Sequence, residues 1–243
     1  TAYEIPKRDW SSDVCSSDLR DECLMARLRV MVVEDDDFTR STVVGSLQIH
    51  GIDVINQTGA VGPAMKSAQI LKPDAVLVDL DLGAGPTGMD LAIALRRNFP
   101  SIGIVILTTF EDPRLLHPKI PNPPIGTEYL VKREVGDVNL LYNAILKSIQ
   151  NVSKGKKIES KKPASAQLEG VTDSQLETMR LIAQGKSNKE IAKNRKVTEK
   201  SVEQTISRLV ANLKLPKSGA SNQRTQIAKL YFKLTGSKSA RDE

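Results

Sequence analysis

Short apolar runs alternate with amphipathic segments through the first 150 residues, and this alternation constrains the fold more than any other feature. The apolar, β-branched runs predict buried strands at 28–33, 52–55, 74–80, 102–108 and 128–131. The segments between and after them predict helices at 37–50, 61–71, 89–97 and 135–150. Strands and helices that alternate at this spacing imply parallel strands joined by right-handed crossovers. We therefore predict an α/β fold built on a doubly wound parallel sheet.

The connection between the fourth and fifth strands is rich in proline. It reads EDPRLLHPKIPNPPIG (111–126) and carries Pro118, Pro121, Pro123 and Pro124 after Pro113. Proline removes a backbone donor and restricts the residue before it, so a regular helix is excluded across most of this segment. Only a short helical turn at 112–116 is predicted.

Polar side chains follow four of the predicted strands. Glu34 and Asp35 follow the first strand, Asp79 ends the third, Thr108 ends the fourth and Lys132 follows the fifth. In an open parallel sheet, function collects at the carboxyl ends of the strands. If the strand order is 2-1-3-4-5, these five side chains converge on one pocket.

The chemistry of that pocket is coherent. Three carboxylates can hold Mg²⁺, which prefers hard oxygen ligands, and the cation offsets the repulsion within the acidic run RVMVVEDDDF (29–38). An ionised Asp79 is a nucleophile towards a phosphoryl group and would form an acyl phosphate. Lys132 and the metal would neutralise the transferred group, and Thr108 could donate a hydrogen bond to it.

These pieces resemble the receiver domain of two-component response regulators over about 30–150. The matching motifs are VVEDD, VLVDLDLGAGPTG, ILTT and YLVK. The resemblance implies the strand order 2-1-3-4-5, a bound Mg²⁺ and phosphorylation of Asp79 by a sensor histidine kinase. It also implies the following roles: Glu34, Asp35, Asp79 and the backbone carbonyl of Asp81 as metal ligands, Thr108 and Lys132 in the phosphate pocket, and Thr108 and Tyr129 as the switch pair.

One departure from the receiver pattern concerns the output face. Receivers carry a full fourth helix, and the proline-rich stretch replaces most of it here. We therefore expect dimer contacts to rely on the helix at 135–150 or on the second domain.

Charge divides the chain into an acidic and a basic half. Residues 1–150 carry 15 Lys+Arg and 20 Asp+Glu, a net charge of −5, whereas residues 151–243 carry 20 and 9, a net charge of +11. A basic module facing a polyanion is one interpretation, and a basic tail that is only solvated is the other. Capping signals at Thr172 and Gln175, at Ser187 and Glu190, and at Thr198 predict successive helices with the outline of a helix-turn-helix module.

The segment LIAQGKSNKEIAKNRKVTEKSVEQTISRLVANLKL resembles the DNA-binding domain of NarL/LuxR-type response regulators, within a match over about 170–235. The resemblance implies double-stranded promoter DNA as a partner, and a homodimer on DNA is expected. It implies DNA contacts on the recognition helix by these residues: Lys200, Ser201, Glu203, Gln204, Thr205, Ser207 and Arg208. Glu203 stands where these proteins commonly carry Lys; it either accepts from a cytosine amino group or is only a surface acid beside Lys200.

These observations define a domain plan. We predict a disordered or artefactual leader (1–24), a receiver domain (25–150), a linker (151–169), a small all-α helix-turn-helix domain (170–236) and a tail (237–243). The leader is suspect because DVCSSDL (13–19) is what a common sequencing-library adapter would encode, which places the start at Met25. No transmembrane helix or membrane contact is expected, and we predict a cytoplasmic protein.

Three functions remain open at this point. The leading one is a phosphorylation-controlled transcription regulator that is not an enzyme. The second is a regulator controlled without phosphorylation through the proline-rich segment. The third is a phosphatase, because DLDLG (79–83) superficially resembles the nucleophile motif of haloacid-dehalogenase-type enzymes, although that motif normally lies on the first strand.

Overall fold

The structure, a computed structural model, describes residues 28–117, 120–135, 138–153, 166–215 and 222–236. The predicted leader, most of the predicted linker and the predicted tail lie outside the described residues. None of the described helices is long and apolar enough to cross a membrane.

Five parallel strands form a sheet in the order β2-β1-β3-β4-β5, which confirms the predicted fold class and strand order. The strands are β1 (Arg29–Val33), β2 (Asp53–Thr58), β3 (Ala75–Val78), β4 (Gly103–Thr108) and β5 (Glu128–Val131). The helices of this domain are α1 (Asp37–Ile49), α2 (Val61–Leu71), α3 (Gly88–Asn98) and α4 (Val138–Ser153). Helix α4 is predicted from residue 135 and begins at Val138 in the structure; a 3₁₀ turn at Lys132–Glu134 precedes it.

The two faces of the sheet are covered by different helices. Alternate residues of the buried strands point to opposite faces, so Met31 and Val76 pack with α2 and α3, whereas Val30 and Leu77 pack with α1 and α4. Both faces are apolar because helices cover both. This arrangement leaves the carboxyl edge of the sheet as the place where polar side chains gather.

The connection from β4 to β5 contains a single 3₁₀ turn, Pro113–Leu115, among its described residues. Asp112 caps this turn by accepting from the backbone N–H of Arg114 at 2.9 Å. The prediction of a short helical turn in place of a full helix is confirmed for the part of the connection that the structure describes.

Within 170–236, the described residues of the basic half form helices, as predicted. Its helices are α5 (Asp173–Ala183), α6 (Asn188–Arg195), α7 (Glu199–Asn212) and α8 (Gln223–Thr235). The predicted capping boxes at Thr172 and Ser187 are both formed, and Thr198 caps α7. Val202 and Leu209 of α7 are buried in the core of this domain, which holds α7 with its polar face outward.

Candidate phosphorylation pocket and DNA-binding face

Three carboxylates meet at the carboxyl edge of the sheet. Glu34 and Asp35 follow β1, Asp79 follows β3, and one oxygen from each lies within 4.8 Å of the others. Glu34 and Asp79 are buried, whereas Asp35 is exposed. The strand order brings them together because β1 and β3 are neighbours in the sheet.

Lys132 completes this pocket from the end of β5. Its Nζ donates to Glu34 Oε2 at 2.6 Å and to Asp79 Oδ2 at 2.7 Å. Burial lowers the pKa of Lys132, but its ion pairs with Asp79 and Glu34 outweigh that effect and raise the pKa above its usual value. The pKa of Glu34 is raised to about 7, chiefly by burial and also by the neighbouring Asp79, while Lys132 opposes the rise.

Thr108 ends β4, and Tyr129 lies on β5, the strand that Lys132 follows. Thr108 is fully buried at the end of β4, and its hydroxyl accepts from the backbone N–H of Phe110 at 3.4 Å. The Tyr129 hydroxyl donates to the Phe110 carbonyl at 2.8 Å, and burial raises the pKa of this phenol. Both predicted switch residues therefore contact the backbone of Phe110, the second residue after β4.

The glycine-rich loop after β3 shapes the backbone on which Asp79 stands. A Cβ on Gly88 would lie 1.8 Å from the carbonyl oxygen of Asp79, so no other residue fits there without movement. Asp81, the fourth predicted metal ligand, donates its backbone N–H to Asp79 Oδ1 at 3.4 Å. In the sequence, Gly88 is recognisable as the last residue of the glycine-rich stretch GAGPTG.

The donor set of the pocket fits a hard divalent cation. Glu34, Asp35 and Asp79 offer carboxylate oxygens at short mutual distances, and one lysine is their close cationic partner. Mg²⁺ prefers oxygen ligands of this kind.

Helix α7 presents most of the predicted DNA-contacting residues to solvent. Lys200, Glu203, Gln204, Ser207 and Arg208 are exposed and line one shallow surface groove. The other two predicted contacts, Ser201 and Thr205, lie half-buried at its flank, where the Thr205 hydroxyl donates to the Ser201 carbonyl. Their roles in DNA contact stay a prediction.

Sequence reasoning missed a set of residues that joins the two domains. Arg133 donates to the Lys233 carbonyl at 2.8 Å, and the Glu111 backbone N–H donates to the Leu234 carbonyl at 3.0 Å. Arg114 donates to the Val171 carbonyl at 3.0 Å. The partners are 57–123 positions apart in the chain, so no local pattern signals these contacts. The sequence offers a single indication of these contacts between the domains, namely that Arg133 directly follows the pocket residue Lys132.

Comparison with known families matches both domains. The response regulator receiver domain matches residues 30–120, and the domain of the bacterial regulatory proteins of the luxR family matches residues 170–221.

Similar proteins span nearly the whole chain. The DNA-binding transcriptional activator DevR/DosR of Mycobacterium tuberculosis is 26% identical over 225 residues, which cover 87% of this chain and 97% of that protein. The transcriptional regulatory protein LiaR of Bacillus subtilis is 27% identical over 215 residues, with 83% and 95% covered. A solved structure of RcsB from Salmonella enterica serovar Typhimurium bound to promoter rprA aligns with a TM-score of 0.47 at 21% identity, covering 84% of this chain and 98% of that one. The chain therefore combines a response regulator receiver domain with a domain of the luxR family of bacterial regulatory proteins, the two-domain architecture of NarL/LuxR-type response regulators, and its relatives over most of its length are transcriptional regulators.

Proposed function

We propose that a sensor histidine kinase phosphorylates Asp79 in an Mg²⁺-dependent reaction, and that this modification controls promoter binding in the cytoplasm. The observation that carries the proposal is the bridging position of Lys132 Nζ, 2.7 Å from Asp79 and 2.6 Å from Glu34. Lys132 holds the Asp79 carboxylate in place for nucleophilic attack, and its charge faces the position that an incoming phosphoryl group would take.

The transfer follows from the chemistry of these side chains. A carboxylate oxygen of Asp79 attacks the phosphorus of a phosphohistidine, the O–P bond forms as the P–N bond breaks, and the imidazole nitrogen keeps the electron pair. Glu34, Asp35, Asp79 and the Asp81 carbonyl would hold the metal. When bound, Mg²⁺ neutralises charge on the phosphoryl group. Thr108 and Lys132 then turn towards the new anionic oxygens.

The labelling experiment uses acetyl phosphate and Mg²⁺, followed by intact-mass measurement. We expect a mass gain of one phosphoryl group that is Mg²⁺-dependent and acid-labile. Asp79→Asn should abolish this gain, whereas Asp36→Asn, at the exposed cap of α1, should retain it. Unchanged labelling of the Asp79→Asn protein would overturn the assignment.

DNA recognition is proposed for the exposed groove of α7. Lys200 and Arg208 supply positive charge for phosphates, and Glu203, Gln204 and Ser207 supply polar groups for base edges. Since one small domain of this type reads a half-site, we propose that two copies bind paired half-sites.

Control without phosphorylation is the second candidate function. The observation that favours it is the proline-rich connection, which forms a 3₁₀ turn where a receiver carries a helix. An unlabelled protein that binds its promoter normally would support this candidate. Catalytic turnover of phosphate esters would instead favour the phosphatase interpretation, in which Asp81 acts as general acid.

A further inference from the structure

The β4–β5 connection of the receiver packs into the core of the DNA-binding domain. Leu115 is 2% exposed and belongs to the same apolar cluster as Met179, Ile182 and Leu234. The Tyr231 hydroxyl of α8 also donates to the Leu115 carbonyl at 3.4 Å. The β4–β5 connection therefore contributes a side chain to the apolar core of the DNA-binding domain.

A buried ion pair strengthens the same contact. Asp112 is 2% exposed and accepts three hydrogen bonds of 2.8–3.2 Å from the guanidinium of Arg114. That guanidinium also donates to the Val171 carbonyl at 3.0 Å and lies 3.6 Å from Asp173 at the start of α5. Separation of the domains would remove two partners from a half-buried cation.

The carboxyl end of α8 is held by the strand ends that flank the pocket. Arg133 and the Glu111 backbone donate to the Lys233 and Leu234 carbonyls, which are among the last of the helix. A helix terminus leaves such carbonyls without internal partners and carries partial negative charge, so a guanidinium and an N–H are well suited there. Arg133 is in turn ion-paired with Glu111.

The docked arrangement leaves the DNA-binding face open. With the receiver in place, Lys200, Glu203, Gln204, Ser207 and Arg208 remain exposed. The contacts to the receiver described above come from Val171, Asp173 and α8, whereas these five residues lie on α7. Separation of the domains would expose Leu115 and the last carbonyls of α8, but it would not uncover any further residue of the DNA-binding face on α7.

We propose that the DNA-binding domain stays docked on the β4–β5 connection of its own receiver while it binds DNA. The docked form is then the form that binds DNA, and docking does not block the DNA-binding face. This inference goes beyond DNA binding itself, and it rests on the proposed placement of the DNA-contacting face on α7.

A disulfide across the contact tests the proposal directly. A Cβ on Gly236 would lie 3.1 Å from the Thr109 Cβ, a few tenths of an ångström short of the usual separation in a disulfide. The double variant Thr109→Cys/Gly236→Cys, in a Cys15→Ser/Cys23→Ser background, should close an intramolecular bond under mild oxidation and lose the mass of two hydrogens. A monomer that does not cross-link would show that the docked arrangement is absent and overturn the proposal.

DNA affinity is then compared in the oxidised and reduced forms, with a short random-sequence duplex at low salt as the probe. We expect the two affinities to agree within about twofold. A loss of about tenfold or more on oxidation, reversed by reduction, would show that the docked form is closed to DNA and overturn the proposal. The single variants Thr109→Cys and Gly236→Cys control for the new side chains, because Gly236 has a φ of 70° that disfavours other residues.

Hydrogen exchange on the unmodified chain gives an answer that does not depend on the variants. The Glu111 amide is bonded to the Leu234 carbonyl only while the domains are docked. We expect peptides that contain Glu111 to stay protected when DNA is added, and loss of that protection would overturn the proposal. The double variant Lys200→Ala/Arg208→Ala tests the proposed DNA-contacting face on α7 separately from docking. Unchanged DNA affinity in that variant would contradict the placement of this face on α7, whereas the cross-link and the exchange results still decide whether the domains are docked.

Discussion

At the scale of single residues, Gly88 sets the backbone of the proposed phosphoacceptor. The backbone N–H of Gly88 donates to the Leu80 carbonyl at 3.0 Å, and its missing Cβ leaves room for the carbonyl oxygen of Asp79. Any side chain at position 88 must displace either the loop or the strand end. The pocket geometry therefore depends on a residue that has no chemical function of its own.

Gly88→Ala is expected to lower the free energy of unfolding by about 1–3 kcal/mol, the usual cost of forcing extra atoms into a packed site. It should also slow labelling of Asp79, because the carboxylate moves relative to Lys132. The matched control is Gly45→Ala in α1, whose Cβ would meet nothing within 4 Å. Chemical denaturation should show the control unchanged or stabilised by about 0.5–1 kcal/mol, and equal effects at both positions would contradict the prediction.

At the scale of elements, α7 combines an apolar inner face with a charged outer one. Val202 and Leu209 anchor the helix in the domain core, and Thr198 caps its first turn. Glu203 is the acid in the exposed groove, between Lys200 and Arg208. Its carboxylate repels the phosphates of DNA, so it lowers the affinity for DNA of any sequence unless it accepts a hydrogen bond from a base.

Glu203→Lys should strengthen binding to a random-sequence duplex and steepen the dependence of log K on log salt by about 1–2, since each neutralised phosphate contributes about 0.9. Titration at several salt concentrations measures both effects. Asp53→Lys, an equal change of charge at an exposed position of β2, is the control and should leave the slope nearly unchanged. Equal responses of the two variants would mean that Glu203 acts only through net charge.

At the scale of the whole molecule, the chain's own DNA-binding domain covers part of the face at the β4–β5 connection. Leu115 and Arg114, which lie on that connection, are already engaged with Val171 and Tyr231 of the second domain. A second receiver could therefore not use those residues while the domains are docked.

Sedimentation with acetyl phosphate and Mg²⁺ should accordingly show only a modest shift towards dimer. Footprinting should nevertheless show occupancy of paired half-sites, because each small domain reads one half-site. The Asp79→Asn protein provides the unphosphorylated reference. A tight, strictly phosphorylation-dependent dimer that is lost on mutation of 113–124 would refute this prediction.

The strand order was implied by the resemblance to receiver domains, whereas the strands, the helices and the polar residues at the strand ends could be predicted from the residues themselves. Each depends on short-range pattern: β-branched runs make strands, capping pairs such as Thr172 with Gln175 begin helices, and parallel strands place their carboxyl ends at one edge. Glu34, Asp79 and Lys132 are brought together as predicted because β1 and β3 are neighbours in the sheet and the long Lys132 side chain extends from the end of β5 to both carboxylates. Their phosphorylation role stays a prediction.

The sequence by itself thus determined two domains, the sheet and the composition of its pocket, whereas tertiary structure alone decided how the domains meet. Arg133 and Glu111 look like ordinary surface charges in the sequence, and only packing brings them to the end of α8, more than 90 positions away. Local pattern encodes elements through periodicity, but contacts between distant elements depend on shape and partners that no short window of sequence contains.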